Sequence, residues 1–167
     1  MTTEHSSTVP SPLVALAGWV IPGAGYMLLG QIGRGVTIGV TILLLFAAGL
    51  LIAGVRVIDV PGYDASGQPV MVSDGVNQHW ALWAAPLAEI RDKPWAVPQL
   101  LSGPVSIAAA AWSVYESRPD AATPDEPRGA ASHGRVSEIG SLYLSVAGLL
   151  NLMAIIDSSH RASQGHP

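Results

Sequence analysis

Gly23-Ala24-Gly25-Tyr26-Met27-Leu28-Leu29-Gly30-Gln31-Ile32-Gly33-Arg34-Gly35 is the stretch from which the rest of the chain is read. On its left it closes an apolar run from Leu13 to Leu29, and on its right it opens a longer one from Val36 to Val55. Within 36–55 only Thr37 and Thr41 carry polar side chains. At about 1.5 Å per residue that run matches a hydrocarbon thickness of roughly 30 Å. Two apolar runs joined by a glycine-rich turn with one arginine predict a helical hairpin in a membrane.

The composition agrees. Of 167 residues, 49% are hydrophobic and 12% charged, where a soluble domain carries about 25% charged residues. The mean hydropathy is +0.39. Cysteine is absent, which excludes disulfides, thiol catalysis and cysteine-held zinc. The net charge is −4 and the eight Lys and Arg residues are scattered, unlike the clustered cations of a nucleic-acid surface. Residues 1–12 hold no Lys or Arg, so a signal peptide is not expected and the first run is taken to stay as a helix.

Four spanning helices are expected in a single membrane domain over residues 13–157, at about 13–29, 36–55, 95–115 and 139–156. Pro22 predicts a kink in the first, and Trp19, in mid-run, is expected to face other helices. The chain turns polar over 58–79, with Pro61-Gly62, Ser66-Gly67 and Asp74-Gly75 as turn signals and a short strand near Val70-Met71-Val72. The apolar stretch 80–90 is too short to span and contains Pro86, so it is read as interfacial or re-entrant, with Trp80 and Trp83 at headgroup depth. Residues 116–137, rich in Pro, Ala and Ser, read as a disordered connector. Residues 1–12 and 158–167 read as flexible tails.

Positions 35, 39, 42, 46, 49 and 53 share one helical face and read Gly35, Gly39, Ile42, Phe46, Gly49 and Ala53. This small-xxx-small stripe predicts close helix packing in lipid. The last helix carries its own stripe: Gly140, Leu144, Ala147, Asn151 and Ala154. Asn151 is the residue most open to a functional reading, either as a buried amide bonded within the bundle or as a contact for a substrate or ion. The expected helix-packing set is Pro22, Gly23, Gly25, Gly30, Gly35, Gly39, Gly49, Ala147 and Asn151. Gly54, off the stripe, is expected to tolerate a large side chain.

No catalytic, cofactor or metal residues are predicted. The five histidines lie in tails, loops or boundaries, and no helical His-x-x-x-His spacing occurs. The three acids Asp59, Asp64 and Asp74 are too widely spaced for a calcium loop. Ser102, Ser106, Ser141 and Ser145 have no base near them in sequence. His160, three residues after Asp157, reads as half of a surface pair at a helix end.

Pro22-Gly23-x-Gly25-Tyr26-x-x-Leu29-Gly30-Gln31-x-Gly33-Arg34-Gly35 resembles the turn of the two-transmembrane-helix domain superfamily. Tyr26-Met27-Leu28 stand where that superfamily carries an Asp-Arg-Phe triplet. The chain resembles more closely an uncharacterised bacterial family of small multi-helix membrane proteins of unknown function. In that family a Pro-Gly-x-Gly hairpin opens the chain and a Gly-Leu-x-Asn-Leu…Asp helix closes it, as Gly148-Leu149-Leu150-Asn151-Leu152 and Asp157 do here. The resemblance implies an all-α membrane fold and no known activity.

The sequence therefore predicts an all-α integral membrane protein in a bacterial inner membrane. Its expected role is a non-enzymatic scaffold or interaction module, with a small channel or transporter subunit as the alternative. The expected partners are the lipid bilayer and either a membrane protein or a second copy of the chain, without nucleic acid. The tight turn with Arg34 and the 116–137 connector are expected on the cytoplasmic side of the membrane. The 58–79 loop and both termini then fall on the other, dividing the basic residues four to four.

Overall fold

One unbroken helix, α8, runs over Arg135–Gln164 in the computed structural model, which describes residues 9–119 and 134–164. Its length follows from its sequence, which has no proline, an acid (Glu138) in the first turn and Arg161 in the last, as the helix dipole favours. One face buries Gly140, Leu144, Ala147, Asn151, Ala154, Ser158 and Ala162. This face serves as a ruler for everything that packs on it.

Helix α3, Ile32–Ala53, lies antiparallel to α8. Arg34 meets Asp157 at one end, and at the other Gly49 and Ala53 lie against Gly140. The buried residues of α3 are Gly35, Gly39, Ile42, Phe46, Gly49 and Ala53. A Cβ added at Gly49 would sit 3.0 Å from Leu144 Cγ and 3.1 Å from the Gly140 carbonyl oxygen, so the backbones touch there. Thr37 and Thr41 donate to the carbonyls of Gly33 and Thr37, which satisfies both hydroxyls within their own helix. Only α3 and α8, among the described residues, are long and apolar enough to cross a membrane.

The two remaining apolar regions do not run from end to end. Helix α1, Ser11–Val20, starts beside the C-terminal part of α8, where Ser11 Oγ donates to the Ser159 carbonyl. It reaches the level of Ile155 and Asn151 at Gly18. The chain then reverses. Gly23 has φ +84°, and α2, Ala24–Leu28, returns to Ser158 at Gly25 and to Asp157 at Tyr26. The reversal is tight because Pro22 and Gly23 lie against Gly35 and Gly39 of α3, whose backbones leave no room for a Cβ. Segment 11–28 is thus a hairpin that enters and leaves at the same end.

A second hairpin enters from the opposite end. Lys93 bonds the carbonyls of Val60 and Tyr63 near its entrance. Helix α6, Ala96–Leu100, brings Pro98 onto Gly148 and Leu101 onto Asn151. Gly103, φ +88°, turns the chain with its Cα pressed on the Trp19 carbonyl. Helix α7, Pro104–Ser117, then returns to Ile58 at Ser113 and to Arg56 at Ser117. The two hairpin tips therefore meet beside Asn151 of α8.

Between α3 and α6 the chain forms a small cap. After a 3-10 turn, Val55–Val57, strands β1 (Met71–Ser73) and β2 (Gln78–Trp80) pair antiparallel with Met71 opposite Trp80 and Ser73 opposite Gln78. Short helices α4, Ala81–Ala84, and α5, Pro86–Asp92, follow. Gly62 ties the cap together, because its carbonyl accepts from the Trp80 indole (2.6 Å) and its N–H donates to Glu89 (2.7 Å). The largest apolar cluster joins this cap to the helices through Ile42, Phe46, Ala53, Val57, Ile58, Ala109, Leu144 and Ala147.

Several sequence expectations change. The helix expected at 13–29 is a broken hairpin, and so is the one expected at 95–115. The helix expected at 36–55 begins earlier, at Ile32, because Gly33-Arg34-Gly35 continue the helix instead of forming the turn. That expected at 139–156 grows at both ends to Arg135–Gln164, taking up the end of the connector and most of the expected C-terminal tail. Ser158 and Ala162 keep that tail helical by being buried. The connector's middle, 120–133, lies outside the described residues, as do 1–8 and 165–167. Segment 80–90 stays with the cap, since Trp80 and Glu89 both bond Gly62, while Trp83 is exposed.

Candidate functional site

The meeting point of the two tips is built from what prolines leave undone. In a continuous helix the Gly18 carbonyl would accept from the N–H of residue 22, but residue 22 is proline and has none. The Leu101 carbonyl stands at the end of α6, where Gly103 and Pro104 stop the helix. Asn151 serves both. Its Nδ2 donates to the Leu101 oxygen at 2.9 Å and to the Gly18 oxygen at 3.3 Å, and the residue is fully buried. Trp19 adds a crossing bond from its indole N–H to the Leu100 carbonyl at 3.3 Å.

Two polar atoms at this junction are buried without a hydrogen-bond partner: Asn151 Oδ1 and Ser102 Oγ. The space bounded by Gly18, Gly25, Asn151 and Ser158 does not admit a water molecule. The centre is a sealed polar joint.

A second polar cluster closes the end where the first hairpin enters. One oxygen of Asp157, Oδ2, accepts from Tyr26 Oη at 2.7 Å, Arg161 Nε at 2.9 Å and Arg34 Nη2 at 3.4 Å. The Arg34 guanidinium also lies 5.0 Å over the Tyr26 ring, a cation–π contact. His160, expected to pair with Asp157, instead has Nε2 2.8 Å from Gln164 Nε2. From this cluster a groove of about 470 Å³ runs along the seam between α3 and α8.

The cap end holds two further cavities, on either side of Ile58, Asp59 and Val60. One, about 280 Å³, is of mixed polarity and includes the charged residues Arg56, Asp64 and Lys93. The other, about 400 Å³, is apolar and includes Gln99, whose Oε1 accepts the Asp59 N–H while Nε2 is buried without a partner. Burial pushes the Asp59 carboxyl above its ordinary value, and the Lys93 ammonium opposes that shift. Asp64 is held low by its bonds from the Ser66 hydroxyl and from the Gln68 and Ser66 N–H groups. Among the described residues no group of three His, Asp or Glu is placed to hold a metal.

Of the residues singled out from sequence, Pro22, Gly23, Gly25, Gly35, Gly39, Gly49, Ala147 and Asn151 are all buried. Pro22, Gly23, Gly35 and Gly39 form one contact, and Asn151 holds the joint. Gly30 belongs elsewhere: it is an exposed turn residue at φ +79° where an added Cβ would meet open space, so it turns the chain and packs nothing. Gly54, also at positive φ, ends α3 and is no neutral comparison position. Sequence reasoning missed Tyr26, Arg34 and Arg161 as partners of Asp157, and Ser102 and Gly103 as neighbours of the joint. For Arg34 the only signal was its presence and that of Asp157 at the ends of apolar helices, since 123 residues separate the two and no spacing rule joins them. Arg161 lies four residues after Asp157 on one helical face, a spacing that could have found that pair.

The fold and site define a helical module: two long antiparallel apolar helices gripping two opposed hairpins. The chain belongs to a family of unknown function, DUF6677, whose match covers residues 13–166. No curated protein and no solved structure matches it.

Proposed function

We propose that the chain is an integral membrane module of two spans and two re-entrant hairpins, which works as a non-enzymatic scaffold. What supports the membrane placement is where the apolar side chains point. In the most apolar windows of α3 and α8 only 28% and 39% of residues are buried, and Leu44, Leu51, Met153 and Ile156 stand exposed. The core helix of a soluble protein buries most of its length; an outward apolar belt of this size belongs against lipid or a partner.

The hairpins set the topology. The start of α1, the end of α8 and the Arg34 end of α3 fall on one side, and the cap and both ends of the connector fall on the other. Among the described residues the cap side carries Arg56, Arg91, Lys93, Arg118 and Arg135, against Arg34 and Arg161. Five against two supports a cytoplasmic cap by the positive-inside rule, and we propose a bacterial inner membrane as the setting. This replaces the expected arrangement, in which the cap and the connector lay on opposite sides.

The observation that carries the scaffold reading is the sealed joint at Asn151, where direct bonds fill the place a permeation path would need. The partners of such a scaffold are lipid and another membrane protein or a second copy. One observation favours a transporter subunit instead. Two broken helices meet at a buried amide whose oxygen is unpaired, the layout in which transporters hold substrates. Proteoliposomes carrying a potassium gradient and a potential-sensitive dye decide between them. Flux no greater than in empty vesicles is expected; robust flux abolished by Asn151→Leu would replace the scaffold by the transporter.

A further inference from the structure

The groove between α3 and α8 has a charged mouth and an apolar wall. At the mouth, Arg34 and Arg161 share a single carboxylate oxygen of Asp157, leaving a net charge of one positive unit. Arg34 makes the longest of the three bonds there, 3.4 Å, and its side chain is about half exposed. A guanidinium has five N–H donors, so most of those on Arg34 remain free for an anion. Below the mouth the wall is Ile38, Ile42, Leu150, Met153 and Ala154. Thr37 and Thr41 also line it, but their hydroxyl protons are committed to the carbonyls of Gly33 and Thr37. The volume, about 470 Å³, lies within the range of ligand-holding pockets.

We propose that this groove holds one phospholipid with an anionic headgroup, its phosphate on Arg34, with Arg161 behind Asp157 adding positive charge, and an acyl chain along the α3–α8 seam. The proposal rests on the membrane placement argued above. A soluble anion would use the arginines and leave the apolar wall bare. A zwitterionic lipid would fill the wall and gain little from the net positive mouth. Only a molecule with both parts matches both ends of the groove. Its role there is to fill the opening flanked by Tyr26 of the first hairpin and Arg34 of α3.

The test compares phosphatidylglycerol with phosphatidylcholine of the same chains by native mass spectrometry of the detergent-purified full chain. Wild type should retain one phosphatidylglycerol in preference to phosphatidylcholine. Arg34→Gln should lower that preference about fivefold, the effect of one cation near an anionic headgroup. Thr41→Phe, which keeps both arginines and fills the groove, should reduce phosphatidylglycerol retention as well. It carries the test if Arg34→Gln fails to fold. Arg91→Gln, at the cap, should leave retention unchanged. Equal retention of the two lipids, an unchanged preference in folded Arg34→Gln, or unchanged phosphatidylglycerol retention in folded Thr41→Phe overturns the proposal. Inorganic phosphate that raises the melting temperature as much as phosphatidylglycerol does assigns the arginines to a soluble anion and overturns it too. Flotation with vesicles separates the two levels of argument. A chain that fails to float refutes the membrane placement, whereas a chain that floats without lipid preference refutes this site alone.

Discussion

Replacing Asn151 isolates the joint. Leu shares the γ-branched shape of Asn but is bulkier, so Asn151→Leu removes the hydrogen bonds and adds an overpacking cost of about 1 kcal/mol or more at this fully buried site. The loss is two donor bonds, to Leu101 and Gly18. Interhelical bonds of this kind contribute about 0.6 kcal/mol on average and up to about 1.7 kcal/mol, so two amount to roughly 1–3 kcal/mol. Against this, the substitution removes Oδ1, a buried acceptor with no partner, which recovers part of the loss. The net expectation is a destabilisation of roughly 2–3 kcal/mol with the fold retained. Asn151→Asp should behave very differently at neutral pH. It keeps the shape but places a charged, acceptor-only group against two carbonyl oxygens, at a cost of about 3 kcal/mol or more. Lowering the pH should recover part of the Asp variant's stability, because a protonated carboxyl regains one donor. Unfolding by dodecyl sulfate titration, followed by far-ultraviolet circular dichroism, gives both values. An Asp variant at neutral pH as stable as the Leu variant would refute the claim that donation by Nδ2 holds the two tips.

Three further outcomes follow from the same geometry. Cysteines at Ser66 and Glu138 should label together with an impermeant thiol reagent applied from one side, and a cysteine at Ser163 only from the other; opposite labelling of 66 and 138 would refute the opposed hairpins. Gly39→Leu should lower the melting temperature in detergent far more than Gly33→Leu, because a Cβ at Gly39 overlaps the Pro22 carbonyl while one at Gly33 meets open space; equal losses would remove the packing argument. The folded-state value of Asp59 is raised from 3.8, so its ionised form is disfavoured in the fold and its stability contribution falls as pH rises from 3.8 through the folded value. Asp59→Asn should therefore melt higher than wild type at pH 7, with the gap closing below pH 3.8, and a variant less stable at pH 7 would show that the Lys93 attraction outweighs burial.

The two long helices were legible in the sequence because each is uninterrupted and carries its buried residues at helical spacing. Every position on the stripes Gly35–Ala53 and Gly140–Ala154 faces inward. Their ends were less legible. Helix α8 runs on through Ser158 and Ala162 because these small residues are buried, and polar composition alone had suggested a tail. The polar clusters were invisible for a different reason. Tyr26, Arg34 and Asp157 converge only because α2 folds back on α1, and no local signal records that.

The same proline-glycine pair admits two outcomes, and the choice lies outside the pair. Pro22 in an apolar run removes one helical hydrogen bond and permits either a kink or a reversal. A kink lets the chain carry on through the bundle with one carbonyl exposed to its own turn. A reversal leaves carbonyls stranded in a buried place, which is tolerable only where another element satisfies them. Here α3 supplies the glycines that admit the tight turn at Gly23, and α8 supplies the amide of Asn151 that caps Gly18. The second hairpin repeats the bargain with Gly103-Pro104, and its stranded Leu101 carbonyl falls to the same Asn151. One side chain thus makes both reversals possible at once, so the conformations of the two hairpins depend on each other. The length of an apolar run measures how far a helix can reach. Whether it crosses or turns back is decided by which residues wait at the bend.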